Sequence, residues 1–115
     1  MTLQQIIDAQ MLAFNNRDIK NMMLLYTDDI KILNFSDYKI TVDGFNECQK
    51  MFTELFDNSP NLYAEILDTI IFDNKVIAKE FVSGRNGNSE KKEQVVIFEI
   101  NNEKISRMDL IKEHL

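Results

Sequence analysis

The chain is 115 residues long with a net charge of −6 and one cysteine, Cys48. That length suits a single domain with a buried core, and the acidic balance argues against nucleic-acid binding, which needs clustered Lys and Arg. A lone cysteine forms neither an intramolecular disulfide nor a cysteine zinc cage, and no apolar run reaches membrane-spanning length.

The first ten residues, MTLQQIIDAQ, lack the basic flank and continuous apolar core of a signal peptide, so a soluble, cytoplasmic protein is expected. Thr2 with Gln5 three residues on fits a capping box. Leu3, Ile6, Ile7, Gln10, Met11 and Phe14 follow at helical spacing, a stripe that is apolar except at Gln10. Asn15-Asn16-Arg17 breaks that helix, and Asp18 is suited to cap a second, which presents Ile19, Met22, Met23, Leu25 and Tyr26. Thr27-Asp28-Asp29 is expected to end it. Ile30 to Phe35 then reads as a strand, turned back by Ser36-Asp37 into Tyr38 to Val42.

Asp43-Gly44 opens a third helix with Phe45, Cys48, Met51, Phe52, Leu55 and Phe56 on one face. Asp57-Asn58-Ser59-Pro60 stops it. Four strand-like runs follow, Leu62 to Phe72, Val76 to Ser83, Gln94 to Ile100 and Ile105 to Ile111, joined by hairpin turns at Asp73-Asn74, residues 84–88 and residues 101–103. Arg85, Lys91 and Lys92, the only basic cluster, flank the middle turn and read as solvated. Helices segregated from a meander define an α+β domain, here one domain over residues 1–115. Val95 to Phe98 are consecutively apolar, so both sheet faces need cover, and three helices cover one. A homodimer through the sheet is therefore expected.

The ordered motifs Phe14-Asn15-Asn16-Arg17-Asp18, Leu25-Tyr26-Thr27-Asp28-Asp29, Gly44, Cys48, Met51-Phe52, Leu55-Phe56, Pro60, Phe98-Glu99-Ile100 and Glu103-Lys104-Ile105 resemble the SnoaL-like branch of the NTF2-like superfamily, which includes ketosteroid isomerase. The resemblance implies a cone-shaped, curved antiparallel sheet packed against three helices from the N-terminal half, with a pocket opening into the cone. Homodimers are common in the family, and most members need no metal or organic cofactor, so none is expected. Ketosteroid isomerases carry a tyrosine on the first helix, an aspartate base at the end of the first strand and a protonated aspartic acid on a late strand. These positions fall on Gln10, Asn34 and Val96. An amide at Asn34 cannot abstract a carbon-bound proton and Val96 cannot bond an oxyanion, so the substitutions argue on chemistry against the isomerase mechanism.

What remains is the strand Val76 to Ser83. Pairing Ile71 with Val76 places Asp68 opposite Lys79, a candidate cross-strand ion pair, with Ile66 opposite Phe81 and Leu67 opposite Glu80. The family's strand pattern turns Val76, Ala78, Glu80 and Val82 toward the pocket, whereas a β-bulge would turn Phe81 inward and Glu80 to solvent. A carboxyl facing an apolar cone has its pKa raised by desolvation, which makes Glu80 the candidate general acid or base. Gln10 and Asn34 read either as neutral hydrogen-bonding partners for a ligand or as structural groups, Asn34 tying down the Ser36-Asp37 turn.

Other residues have plain readings. Cys48 is a buried thiol, Met22 and Met23 are core, and Asp28-Asp29 is a turn device. His114 is the only histidine, so no histidine metal cluster exists and a Ser-His-Asp triad would have to recruit it from the last two residues. The pocket is expected to be lined by Gln10, Phe14, Asn34, Met51, Leu55, Glu80, Val96 and Met108, and to take a small apolar or amphipathic molecule. Any reaction would be a cofactor-free isomerisation, lyase step or hydrolysis. The alternative is a non-catalytic ligand-binding or interaction module.

Overall fold

A computed structural model describes residues 1–113, and His114 lies outside the described residues. Helix α1 (Leu3–Asn15) starts with the expected capping box: the Thr2 side chain accepts from the Gln5 N–H, and the Gln5 side chain accepts from the Thr2 N–H. Its stripe buries Ile6, Ile7, Gln10, Ala13 and Phe14. Helix α2 (Ile19–Met23), capped by Asp18, is only five residues long.

Strand β1 (Tyr26–Asn34) begins three residues after α2 ends, which corrects the expectation for Tyr26 and for Thr27-Asp28-Asp29. Tyr26 belongs to the strand, and Asp28 and Asp29 lie exposed within it. Short-range helical spacing in Met22-Met23-Leu25-Tyr26 mimics a longer helix; in the strand, Asp28 and Asp29 face water while Tyr26 and Ile30 face the core, a break in strict alternation that coincides with the register irregularity against β6 between Tyr26 and Lys31.

β2 (Lys39–Asp43) returns antiparallel to β1. Helix α3 (Phe45–Asp57) follows Gly44, whose φ of 101° is a conformation side chains disfavour, and buries Cys48, Phe52 and Phe56. Strands β3 (Tyr63–Phe72), β4 (Lys75–Ser83), β5 (Lys92–Asn101) and β6 (Lys104–Lys112) form the meander. The β5–β6 turn holds Asn102 and Glu103 at φ 51° and 61°, the left-handed pair that matches strand twist in a tight hairpin.

The six strands form one curved, open sheet in the order β2-β1-β6-β5-β4-β3. The fold is α+β, with the sheet mixed because β1 runs parallel to β6. That pair arises because β6, the last strand, slots against the free edge of β1 after α3 has carried the chain across.

The β3–β4 register follows the expected pairs from Phe72–Lys75 to Asp68–Lys79, then a bulge at Leu67 shifts it by one. Glu80 therefore pairs with Ile66 and Phe81 with Glu65, correcting the expected Leu67–Glu80 and Ile66–Phe81 pairs. The bulge is in β3, so β4 keeps strict alternation: Val76, Ala78, Glu80 and Val82 are buried. The expected Asp68–Lys79 ion pair does not form; Lys79 Nζ instead approaches Glu93 Oε1 at 3.7 Å on the other neighbour, β5.

The corner after α1 is a clamp on an edge strand. Asn15 donates to the Ala64 carbonyl at 2.9 Å and accepts from the Ala64 N–H at 2.8 Å. Its carboxamide thus occupies the place a neighbouring strand would take beside β3. Arg17, at φ 53°, donates to the carbonyls of Asn15, Ser59 and Pro60 and fastens the loop before β3.

Candidate functional site

The inner face of the sheet and the helices α1 and α3 enclose a cavity of about 470 Å³. All eight residues expected to line a pocket lie on its wall: Gln10, Phe14, Asn34, Met51, Leu55, Glu80, Val96 and Met108. Alternation explains the strand contributors. Glu80 and Gln94 are cross-strand partners, as are Ala78 with Val96 and Val76 with Phe98, so one face of β4 and β5 points inward. Helical spacing explains the rest, since Gln10 and Phe14 on α1, and Met51 and Leu55 on α3, are each four apart.

The wall is mainly hydrocarbon, with polar groups at a few points. Glu80 is 5% exposed and its Oε1 accepts from Gln94 Nε2 at 2.7 Å, while Oε2 has no partner among the described residues. Burial raises the Glu80 pKa above the ordinary carboxylate value, against the Gln94 hydrogen bond and the nearby Arg85 charge, which both pull it down. Glu80 is thus held toward its neutral form, with one oxygen free to give or take a proton.

Gln10 is 4% exposed, and its Nε2 donates to the Tyr26 hydroxyl at 3.3 Å. Its Oε1 has no partner among the described residues. Tyr26 is stacked on Phe52 and buried beside Cys48, and desolvation drives its pKa far above the usual range, so it stays a phenol. Burial likewise pushes the Cys48 thiol up to about 12, which leaves it protonated and unreactive. Asn34 Nδ2 donates to Asp37 Oδ1 at 3.0 Å, fixing the turn as its structural reading had it, and the residue also borders the cavity.

Arg85 corrects the expectation of a solvated tip. Gly84, at φ 81°, folds the β4–β5 connection back on itself, and the Asn86 N–H donates to the buried Ser59 Oγ at 2.7 Å, pinning the turn. Arg85 is left half-buried on the cavity wall, where burial lowers its pKa and Glu80 opposes the shift. Lys112, at the end of β6, borders the same cavity.

Sequence reasoning missed Arg85, Gln94 and Lys112. The signal for Gln94 was present, because it alternates with Val96, Phe98 and Ile100. None existed for Arg85, whose position depends on how an irregular turn docks. Among the described residues no three His, Cys, Asp or Glu side chains gather as metal ligands, and no helix is long and apolar enough to cross a membrane.

A curved sheet closed by helices over an apolar cavity defines the NTF2-like class, and solved structures agree. The chain is 22% identical to an uncharacterized cystatin-fold protein from Novosphingobium aromaticivorans, with a TM-score of 0.88 over 97% of this chain and 99% of that one. An NTF2-like protein of unknown function from Cytophaga hutchinsonii is 8% identical, with a TM-score of 0.80 over 98% and 91% of the two chains. A protein with a ketosteroid isomerase-like fold from Catenulispora acidiphila, solved with trimethylamine, is 12% identical, with a TM-score of 0.79 over 94% and 85%. At these identities the likeness is one of fold. Residues 7–108 match the sequence model of the SnoaL-like domain, and the chain belongs to that family. No curated protein matches it.

Proposed function

We propose that this SnoaL-like protein binds a small, largely apolar molecule in the cavity, with Glu80 and Gln10 as its polar contacts. The observation that carries the reading is an open apolar cavity with two buried polar side chains on its wall, each retaining an oxygen unpartnered among the described residues. Cavities of a few hundred Å³ with sparse polar groups are the usual form of small-molecule sites, and buried polar atoms without partners are rare in proteins. A homodimer through the outer sheet face and a cytoplasmic setting belong to the same proposal. The dimer rests on the exposed apolar side chains of β3, and the location on the single unpaired thiol.

A catalytic role for Glu80 is the second reading, favoured by its raised pKa and free Oε2. Glu80 would act as a general acid or base in a cofactor-free isomerisation, elimination or hydrolysis. Gln10, Asn34 and Val96 replace all three isomerase groups, so any chemistry would run through Glu80 rather than through that machinery.

Heat denaturation against a panel of small amphipathic compounds tests the binding reading. A true ligand at about 100 times its Kd adds about 2.7 kcal/mol to stability, and Leu55→Trp, which fills the cavity, should abolish that gain. No stabiliser of the wild type, or equal stabilisation of both proteins, would overturn it. Turnover of a stabilising compound that survives Glu80→Gln would remove the catalytic reading.

A further inference from the structure

If the cavity is a binding site, the charged groups at its rim constrain the chemistry of the ligand. Arg85 and Lys112 come from different parts of the chain, one from the β4–β5 turn and one from the end of β6. Both border the apolar cavity, and both also border a neighbouring groove of about 460 Å³, so they stand at the join of the two. Gln94 is the third residue common to both spaces.

Arg85 and Lys112 thus place two cations at the rim of an apolar space in a protein whose net charge is −6. Of the three carboxylates among the described residues that border the groove with them, two are paired with other lysines. Glu90 pairs with Lys92 at 3.2 Å, Glu93 pairs with Lys79 at 3.7 Å, and Glu113 accepts from the Glu93 N–H at 3.2 Å. Among the described residues neither Arg85 nor Lys112 makes an ion pair within 4.0 Å. Glu80, the one carboxyl among the described residues of the cavity wall, shares its Oε1 with Gln94 and is held toward the neutral form by burial. Burial lowers the Lys112 pKa and the neighbouring Arg85 charge lowers it further, so the two cations repel one another.

We propose that the cavity takes an amphipathic anion, a carboxylic acid with an apolar body, whose carboxylate sits between Arg85 and Lys112 and whose body lies against Phe14, Leu55, Val96 and Met108. The planar guanidinium of Arg85 suits a carboxylate fork, and Lys112 adds a point charge. The apolar body supplies burial, and the head fixes which end enters last. Neutral and cationic amphiphiles of the same length lack the partner for the two cations.

Three eight-carbon probes test this by calorimetric titration: octanoate, 1-octanol and octylammonium. Wild-type protein should bind octanoate at least tenfold more tightly than octanol, and octylammonium more weakly than either. Arg85→Gln and Lys112→Gln should each reduce octanoate affinity by fivefold or more while leaving octanol unchanged; Arg85→Lys should retain part of it. Lys91→Gln, whose ammonium lies over the Phe81 ring on the outer face, should have no effect. Leu55→Trp should abolish binding of every probe. Octanol binding as tightly as octanoate, with both lost in Leu55→Trp, would overturn the anionic head and leave the cavity reading intact. Octanoate binding unchanged in Leu55→Trp would place the anion outside the cavity and overturn the proposal. Binding of no probe at millimolar concentration would overturn the proposal, while the broader panel of amphipathic compounds would still decide the cavity reading.

Discussion

At the scale of single residues, Glu80 is a carboxyl held where its charged form is disfavoured. It is buried among Ala78, Val82 and Val96, with Gln94 as its hydrogen-bonding partner and Arg85 as a nearby charge. Because folding raises its pKa, neutral Glu80 favours the native state fully below its ordinary value of about 4.3. That contribution is lost as pH rises through the folded-state value. Wild-type stability should therefore fall relative to Glu80→Gln across that window, by about 1.4 kcal/mol for each unit separating the two values. Urea denaturation of both proteins from pH 4 to 8 measures this, and parallel curves would contradict it. The family's strand pattern turns Glu80 inward and leaves Phe81 as the alternative, and the burial alternation of β4 decides for Glu80. Arg85 is not legible in that way, since a turn has no period and its docking depends on the distant Ser59.

Among the elements, the loops carry more of the specification than their length suggests. Asn15 replaces a missing strand beside Ala64, and its loss strands one backbone donor and one acceptor. Asn15→Ala should cost about 2 kcal/mol, seen as a lower urea midpoint with an unchanged slope. Gly84 combines a φ of 81° with a close approach to the loop before β3, where a Cβ would overlap the Asn61 carbonyl. Gly84→Ala should cost more than about 2 kcal/mol and release Arg85 from the cavity wall. A stability loss below half of that would contradict the turn's anchoring role.

These elements also show how far pattern reaches. The three helices and all six strands follow from capping signals and periodicity. The α2–β1 boundary and the Leu67 bulge do not, because a five-residue helix is too short to establish a period and an extra strand residue leaves no mark in composition. The parallel β1–β6 contact is likewise a long-range choice that local pattern does not encode.

Taken whole, the molecule has one apolar surface turned inward on a cavity and another left facing water. Ile70, Ile77 and Ile97 align across β3, β4 and β5 on the outer face, and Ile70 is 61% exposed. Exposed apolar bands of this kind mark interfaces, so the protein should sediment as a dimer at micromolar concentration, and Ile70→Lys with Ile77→Lys should yield a monomer. A wild-type monomer under those conditions would contradict the dimer.

Occupancy of the cavity is the central claim, and native mass spectrometry of freshly purified protein tests it most directly. The expected result is a species heavier than the bare chain by one small molecule per protomer, lost on denaturation and absent in Leu55→Trp. A wild type that carries only its own mass, and whose mass stays unchanged when octanoate is added at millimolar concentration, would contradict it.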